Sequence, residues 1–485
     1  MKNASIYLIS TVISFVISIL VLPVYTRLLT PSEFGITLLF IIFGKIVVGF
    51  VNFSLHGASY RYYFDNGNDE QFRMLNSTNF FFLILVFFIT SVVIYYTAFL
   101  FSSSIYQGQL TRKLIVLSLV SAFIDYLSLY MTTLLTAQLK AAQFAVVMVS
   151  NMVLNSTFSL FFIIKDSLTF LGRVYGILLS QAIIFLVLII LCRNTFILKL
   201  SYASLKKSLR LTSPYIPQMF LGLSQNYLDK SVLSASKGTA SLGFYSVGVN
   251  FATVLKMIMD AVEKTWTPFF MKNAVENSSE SINAIVERFY SMAVTYMFLG
   301  LGVIYFSEEA IKLLTTKEFY PAILITPVYV YFYMFAIVGY LTNCQLSIAE
   351  KLKYVLPGAF VGAVVNIILN FILIPQYGAI GAAVTAAVTS LISQLFLLYY
   401  GMKAFPLPLN NYKLLKLYIV LIVFTAPAYI LFNLELNFVI KVGIKLIVMT
   451  AFLFSIFTME FIDTKYILSI LNKNRLFNKL TSFLA

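Results

Sequence analysis

A chain of 485 residues that is 60% hydrophobic and 11% charged, with a mean hydropathy of +0.90, carries more apolar surface than a soluble core can hide, since soluble domains hold about 25% charged residues. The net charge of +15 does not point to nucleic acid, because Lys and Arg are spread over short segments between long apolar runs and not gathered on one face. Two cysteines, Cys192 and Cys344, without CxxC or His spacing, support neither a disulfide framework nor a metal site.

The first apolar run, near 6–26, is long enough to span a bilayer and is not followed by a small-residue cleavage site, so it reads as a retained helix. Arg27 sits at its far end. A run near 35–55 holds Lys45 about halfway along, with His56 at its end and Arg61 beyond it. Runs near 79–101, 113–136, 144–164 and 170–192 follow; the fourth helix has Asp125 in its middle, and the fifth carries Asn151 and Asn155 on one helical face. A basic segment, with Arg193, Lys199, Lys206, Lys207 and Arg210, comes next.

The run near 211–233 is interrupted by Pro214 and Pro217 and ends with Asp229 beside Lys230, and the run near 240–262 holds Lys256 and Asp260 four residues apart. Trp266, Phe269 and Phe270 after it read as an interfacial belt. The remaining runs lie near 289–306, 320–345, 355–374, 379–400, 414–432 and 438–462; Pro321 and Pro327 mark the start of the tenth, and Asn366 and Asn370 share a face of the eleventh. The expectation is an all-α polytopic membrane protein of about fourteen transmembrane helices, with Lys45 and Lys256 as the cations left inside helices.

With a cytoplasmic N-terminus, loops on that side hold about twice the Lys and Arg of the other, which sets the orientation. An even helix number returns the basic tail, with Lys473, Arg475 and Lys479, to the cytoplasm. The basic segment also marks the midpoint of an internal repeat: the two Asn pairs correspond with a shift of 215, and Phe34-Gly35 corresponds to Leu242-Gly243 with a shift of 208. Six helices per copy make the repeats parallel. The expected domains are 1–200 and 201–405, each a six-helix lobe, and 406–485, two further helices and the tail.

Three stretches carry a resemblance: PVYTRLLTPSEFG at 23–35, SLGFYSVGVNF at 241–251 followed by TWTPFF at 265–270, and NIILNFILIPQYGAIGAAVTAAVTS at 366–390. In order and spacing they resemble the polysaccharide-export branch of the multidrug, oligosaccharidyl-lipid and polysaccharide (MOP) exporter superfamily, which includes Wzx-type O-antigen flippases and, more distantly, MurJ lipid II flippases and MATE drug exporters. The resemblance implies a flippase, not an enzyme, in a bacterial inner membrane. It would move an undecaprenyl-diphosphate-linked oligosaccharide outward by alternating access, with no cofactor. It also implies partners among membrane lipids, a polysaccharide polymerase and a chain-length regulator. The cation-rich first and second helices typical of lipid II flippases are mostly apolar here, with Arg27, Lys45 and Arg61 as candidates, which favours a different undecaprenyl-linked glycan.

Such a substrate carries a diphosphate between lipid tail and sugars, and an unpaired charge in mid-membrane costs at least about 2.5–3.5 kcal/mol, so cations facing a watery cavity are the expected answer. Lys45 shifted by 208 lands on 253, one helical turn from Lys256, making the two lysines candidate repeat partners. Arg27 and Arg61 could grip phosphate or anchor helices to lipid headgroups. Asp125, Asp229 and Asp260 are the candidates for coupling to an ion, although Lys256 and Asp260 could equally neutralise each other. The Asn pairs serve either as interhelical hydrogen-bonding groups or as sugar contacts. An ion-coupled drug exporter of the same superfamily would rely on acids instead of lysines, and a polysaccharide polymerase or ligase would need an acid–base cluster for which His56 is the one histidine. No P-loop pattern is present.

Overall fold

The computed structural model describes residues 2–66, 70–105, 111–165, 168–459 and 461; the basic tail residues Lys473, Arg475 and Lys479 lie outside these. Fifteen α-helices make up the described chain: α1 (Lys2–Leu28), α2 (Pro31–Val51), α3 (Leu55–Asn66), α4 (Glu70–Ile105), α5 (Arg112–Ala137), α6 (Ala141–Lys165), α7 (Thr169–Cys192), α8 (Tyr202–Thr212), α9 (Ile216–Leu223), α10 (Asp229–Glu276), α11 (Ser279–Leu314), α12 (Ala322–Ile348), α13 (Val355–Ala404), α14 (Asn411–Asn433) and α15 (Phe438–Thr458). Twelve helical stretches among the described residues are long and apolar enough to cross a membrane.

Two of those twelve, Ile216–Glu276 and Leu352–Ala404, are 61 and 53 residues long, roughly three times and two and a half times the about 20 residues that a bilayer core needs at 1.5 Å per residue. Each is broken by a glycine outside the helical region, Gly238 (φ 83°) in α10 and Gly378 (φ 60°) in α13. These left-handed angles favour glycine, and the second break follows Pro375 at the turn expected from the sequence. Each stretch therefore makes two crossings, giving the fourteen that the hydropathy runs predict. Helices α3 and α8 are additional short helices.

Local chemistry sets the helix ends. The Thr30 hydroxyl oxygen accepts from the Glu33 amide while the Glu33 carboxylate accepts from the Thr30 amide, a capping box with Pro31 at the first helical position of α2. Asn410 caps α14 through the Lys413 amide, and Asn437 caps α15 through the Val439 amide. The seventh crossing is irregular: a 3-10 turn at Ser213–Tyr215 leads into α9, and a π-helical turn at Ser224–Leu228 separates α9 from α10. Pro214 and Pro217 remove donors early in this crossing, and the wider π turn follows one helix later.

The chain divides into two compact units. The first comprises Met1–Val247, Ile311–Ala322 and Gly362–Thr385; the second comprises Gly248–Ala310, Ile323–Val361 and Ala386–Ala485. In the first, Phe40, Val47, Leu55, Phe72, Tyr126 and Tyr130 centre an apolar cluster on α2, α3, α4 and α5. Burial of the polar groups there is matched by hydrogen bonds: the Tyr130 hydroxyl donates to Asn76 Oδ1 at 2.6 Å, and Asn76 Nδ2 donates to the Thr195 carbonyl at 3.0 Å.

The 208-residue shift has a physical counterpart within the first unit. A Cβ at Gly35 would lie 1.9 Å from the Thr239 carbonyl oxygen, and one at Gly243 would lie 2.1 Å from that of Pro31. Thr239 and Gly243 stand 208 residues after Pro31 and Gly35. The contact is thus reciprocal between equivalent positions, as a local two-fold relation requires. The Ser32 and Thr239 hydroxyls, 2.7 Å apart, close it.

In the second unit, Trp266 is buried and its indole N–H donates to the Tyr340 carbonyl at 3.1 Å. The interfacial position expected from its sequence is therefore corrected: with its polar edge satisfied inside the protein, the ring has no need of the headgroup region.

Candidate functional site

In the first unit, α2 is held on two sides where it carries Lys45. Gly44 lies against Ser118 of α5, whose hydroxyl donates to the Phe40 carbonyl at 2.6 Å, and Gly49 meets Leu223 of α9. Small residues flanking the lysine thus let neighbouring helices approach closely. Lys45 Nζ lies 2.5 Å from Asp125 Oδ2 of α5. Two residues singled out for different roles, substrate binding and ion coupling, form one ion pair.

That pair is open. Its side chains keep 42% and 38% of their surface exposed. Lys256 and Asp260, in the second unit, pair at 2.6 Å along one turn of α10 and remain 50% and 45% exposed. Tyr340 of α12 donates to the other Asp260 oxygen at 3.4 Å. Each lysine thus holds one carboxylate while part of its side chain stays uncovered by protein, where a second anion can reach it.

Asp229 differs. It is buried, accepts from the Tyr245 hydroxyl at 2.6 Å and lies 3.3 Å from Lys230, an arrangement that staples the two limbs of α10 within the first unit. Arg27 is exposed at the end of α1, and Arg61 is exposed on α3. His56 opens α3, where burial holds its imidazole below the ordinary pKa and its Nδ1 has no hydrogen-bond partner. Asn370 and Asn366 are buried and bonded to each other, Nδ2 to Oδ1 at 2.8 Å, leaving Asn370 Oδ1 unpartnered; Asn151 and Asn155 are half-buried, with Asn151 Oδ1 likewise unpartnered.

Sequence reasoning missed a closed charge cluster in the second unit. Lys441 Nζ lies 2.7 Å from Glu308 Oε1, and Lys445 lies 2.6 Å from Glu309 Oε1 and 3.5 Å from Glu308 Oε2. Lys445 is wholly buried and Glu308 nearly so. Lys45 and Lys256 are therefore not the sole intrahelical cations, because α15 holds two more and α11 runs past 306 to include both glutamates. The spacing of four between Lys441 and Lys445 was the available signal. The same unit contains an apolar cavity of about 910 Å³ lined by Phe335, Leu391, Leu395, Tyr418 and Ile422, suited to hydrocarbon. Among the described residues no group of His, Cys, Asp and Glu could hold a metal.

A family model described as "polysaccharide biosynthesis protein" matches residues 24–324. Comparison with curated proteins finds no match. Among solved structures, the lipid II flippase MurJ in an inward closed conformation superposes with a TM-score of 0.68 at 17% identity, covering 94% of this chain and 99% of that one. An inward-facing multidrug resistance MATE family transporter of the MOP superfamily gives 0.63 at 13% identity, covering 80% and 94%. A Vibrio cholerae MATE transporter gives 0.54 at 16% identity, covering 83% and 95%. At these identities the likeness is one of fold.

Proposed function

The chain belongs to the polysaccharide biosynthesis protein family, and from that premise we propose that it is a flippase carrying an undecaprenyl-diphosphate-linked oligosaccharide from the cytoplasmic to the outer leaflet of a bacterial inner membrane. The observation that carries this reading is the pair of open lysine–carboxylate contacts inside apolar helices, Lys45–Asp125 and Lys256–Asp260. A diphosphate oxygen can take the place of either carboxylate on its lysine, so that one of the two diphosphate charges is compensated there. The displaced carboxylate then accepts a proton from hydronium on the side where the headgroup enters and releases it to water on the side where the headgroup leaves, which couples transport to protons through Asp125 and Asp260.

The two six-helix repeats, 1–200 and 201–405, exchange access to the two sides in this account, and both termini are cytoplasmic. Arg27 and Arg61 lie towards opposite ends of the path, where they meet the phosphates on departure and entry. The half-buried Asn151 and Asn155 offer amides to the sugars. A polysaccharide polymerase and a chain-length regulator use the delivered units.

Deletion and complemented cells, fed a labelled sugar precursor and probed for lipid-linked glycan in the outer leaflet, test this. Delivery should stop on deletion and return with the gene; undiminished delivery without the protein would overturn the proposal. The half-exposed acids and the MATE-like fold favour a second reading, proton-coupled export of cationic drugs. It requires that overexpression raise drug tolerance, and that Asp125→Asn abolish the rise.

A further inference from the structure

We infer that Arg173, with Tyr25, forms a binding site for a phosphate-type oxyanion in the first unit, separate from the Lys45–Asp125 pair. Arg173 lies in the first turns of α7, Tyr25 in the last turns of α1 and Phe34 in the first turn of α2. The guanidinium carbon lies 4.5 Å from the Tyr25 ring centroid and 4.5 Å from that of Phe34. Both rings are buried, and Phe34 is itself braced edge-on by Phe319 at 5.9 Å.

The frame around the arginine is fixed. A Cβ at Gly176 would lie 2.3 Å from the Ser159 nitrogen, so α7 and α6 touch backbone to backbone, and the Ser159 hydroxyl lies 3.4 Å from the Arg173 carbonyl oxygen. At the end of α1, the Thr316 hydroxyl donates to the Thr26 carbonyl at 3.1 Å while the Thr26 hydroxyl reaches the Leu314 carbonyl at 3.2 Å. Packing thus holds the rings and the guanidinium in place before any ligand arrives.

What this arrangement leaves over is hydrogen-bonding capacity. Aromatic faces attract the cation but give its in-plane N–H groups no acceptor. Among the described residues no carboxylate pairs with Arg173, and Nη1 is enclosed without a hydrogen-bond partner. Tyr25 Oη is also enclosed and unpartnered. Buried polar atoms of native proteins are nearly always satisfied, and a buried cation most of all. A planar fork of donors beside a phenolic hydroxyl, with charge uncompensated, matches the oxygens of a phosphate group, which guanidinium grips bidentately. The phosphate can come from a membrane lipid headgroup, from a polyprenyl diphosphate or from a free anion. The inference holds whether or not the chain is a flippase.

The test uses the full chain in phosphatidylcholine nanodiscs. Three probes are titrated separately: inorganic pyrophosphate, phosphatidylglycerol built into the disc, and a polyprenyl diphosphate with the matching polyprenol as control. Binding is read by melting temperature and by protection of Arg173 from phenylglyoxal, followed by peptide mass spectrometry. At least one phosphate probe should saturate and protect Arg173, and the arm that does so identifies the source. Arg173→Gln should weaken that binding at least about tenfold, as expected for a lost charge-assisted hydrogen bond, and Tyr25→Phe should weaken it by a smaller factor. Equal binding by wild type and Arg173→Gln, or no protection of Arg173 by any probe, overturns the inference. Should Arg173→Gln fail to fold, protection in the wild type decides alone. Loss of glycan delivery in cells bears on the flippase proposal and not on this binding.

Discussion

Gly35→Ala places a methyl carbon 1.9 Å from the Thr239 carbonyl oxygen, and Gly243→Ala places one 2.1 Å from that of Pro31. Because Cβ atoms essentially never approach closer than 3.0 Å, α2 and the limb of α10 after Gly238 must part by roughly 1 Å in either variant. The opposing atoms are backbone, so no side chain can swing aside. Overpacking of this kind costs about 1–3 kcal/mol, a factor of about 5–150 in the population of the closed contact. The two sites share one contact, so the double variant should cost less than the two single changes together. The assay is cross-linking of Ser32→Cys with Thr239→Cys by a short bifunctional reagent in native membranes, since the hydroxyls they replace are 2.7 Å apart. Cross-linking should fall in both glycine variants, while protein abundance falls little. Unchanged yield in both would refute the close approach and with it the reciprocal contact.

Asp125→Asn should reduce glycan delivery at least about tenfold, because Lys45 loses the carboxylate it pairs with; retained delivery would remove Asp125 from the path. In the closed cluster, Glu308→Gln or Lys445→Met should destabilise by about 3–5 kcal/mol, read as a large drop in melting temperature in detergent, because each leaves a buried charge uncompensated. The pH response of His56 has a definite sign: burial lowers its folded pKa, so its stabilising effect is complete above the unfolded value near 6.5 and is lost as pH falls towards the folded one. Melting temperature should fall between about pH 7 and pH 5, and His56→Gln should flatten part of that fall.

The crossings were legible because bilayer burial writes itself into apolar length, and the Thr30-Pro31-Ser32-Glu33 capping box and the Pro375–Gly378 turn are local signals. Helix order and the 208 shift follow from the same local patterning. What the sequence concealed depends on partners far along the chain. Lys441 and Lys445 disappear into an apolar average, and their glutamates sit about 130 residues earlier, past the point where the ninth apolar run fades. Arg173 looks like a helix-end charge until α1 and α2 bring Tyr25 and Phe34 over it. Trp266 looks amphipathic until Tyr340 satisfies its N–H. The Lys256–Asp260 pair was readable from its spacing of four, whereas Lys45–Asp125 joins residues 80 apart and needed the helix packing.

The most direct measurement is of flipping by the purified chain. Proteoliposomes loaded on one leaflet with a fluorescent polyprenyl-diphosphate oligosaccharide, and challenged from outside with a glycosidase, report how much headgroup has crossed. Wild-type vesicles should expose glycan well above protein-free vesicles, and Lys45→Gln vesicles should not. Equal exposure with and without the protein would contradict the account.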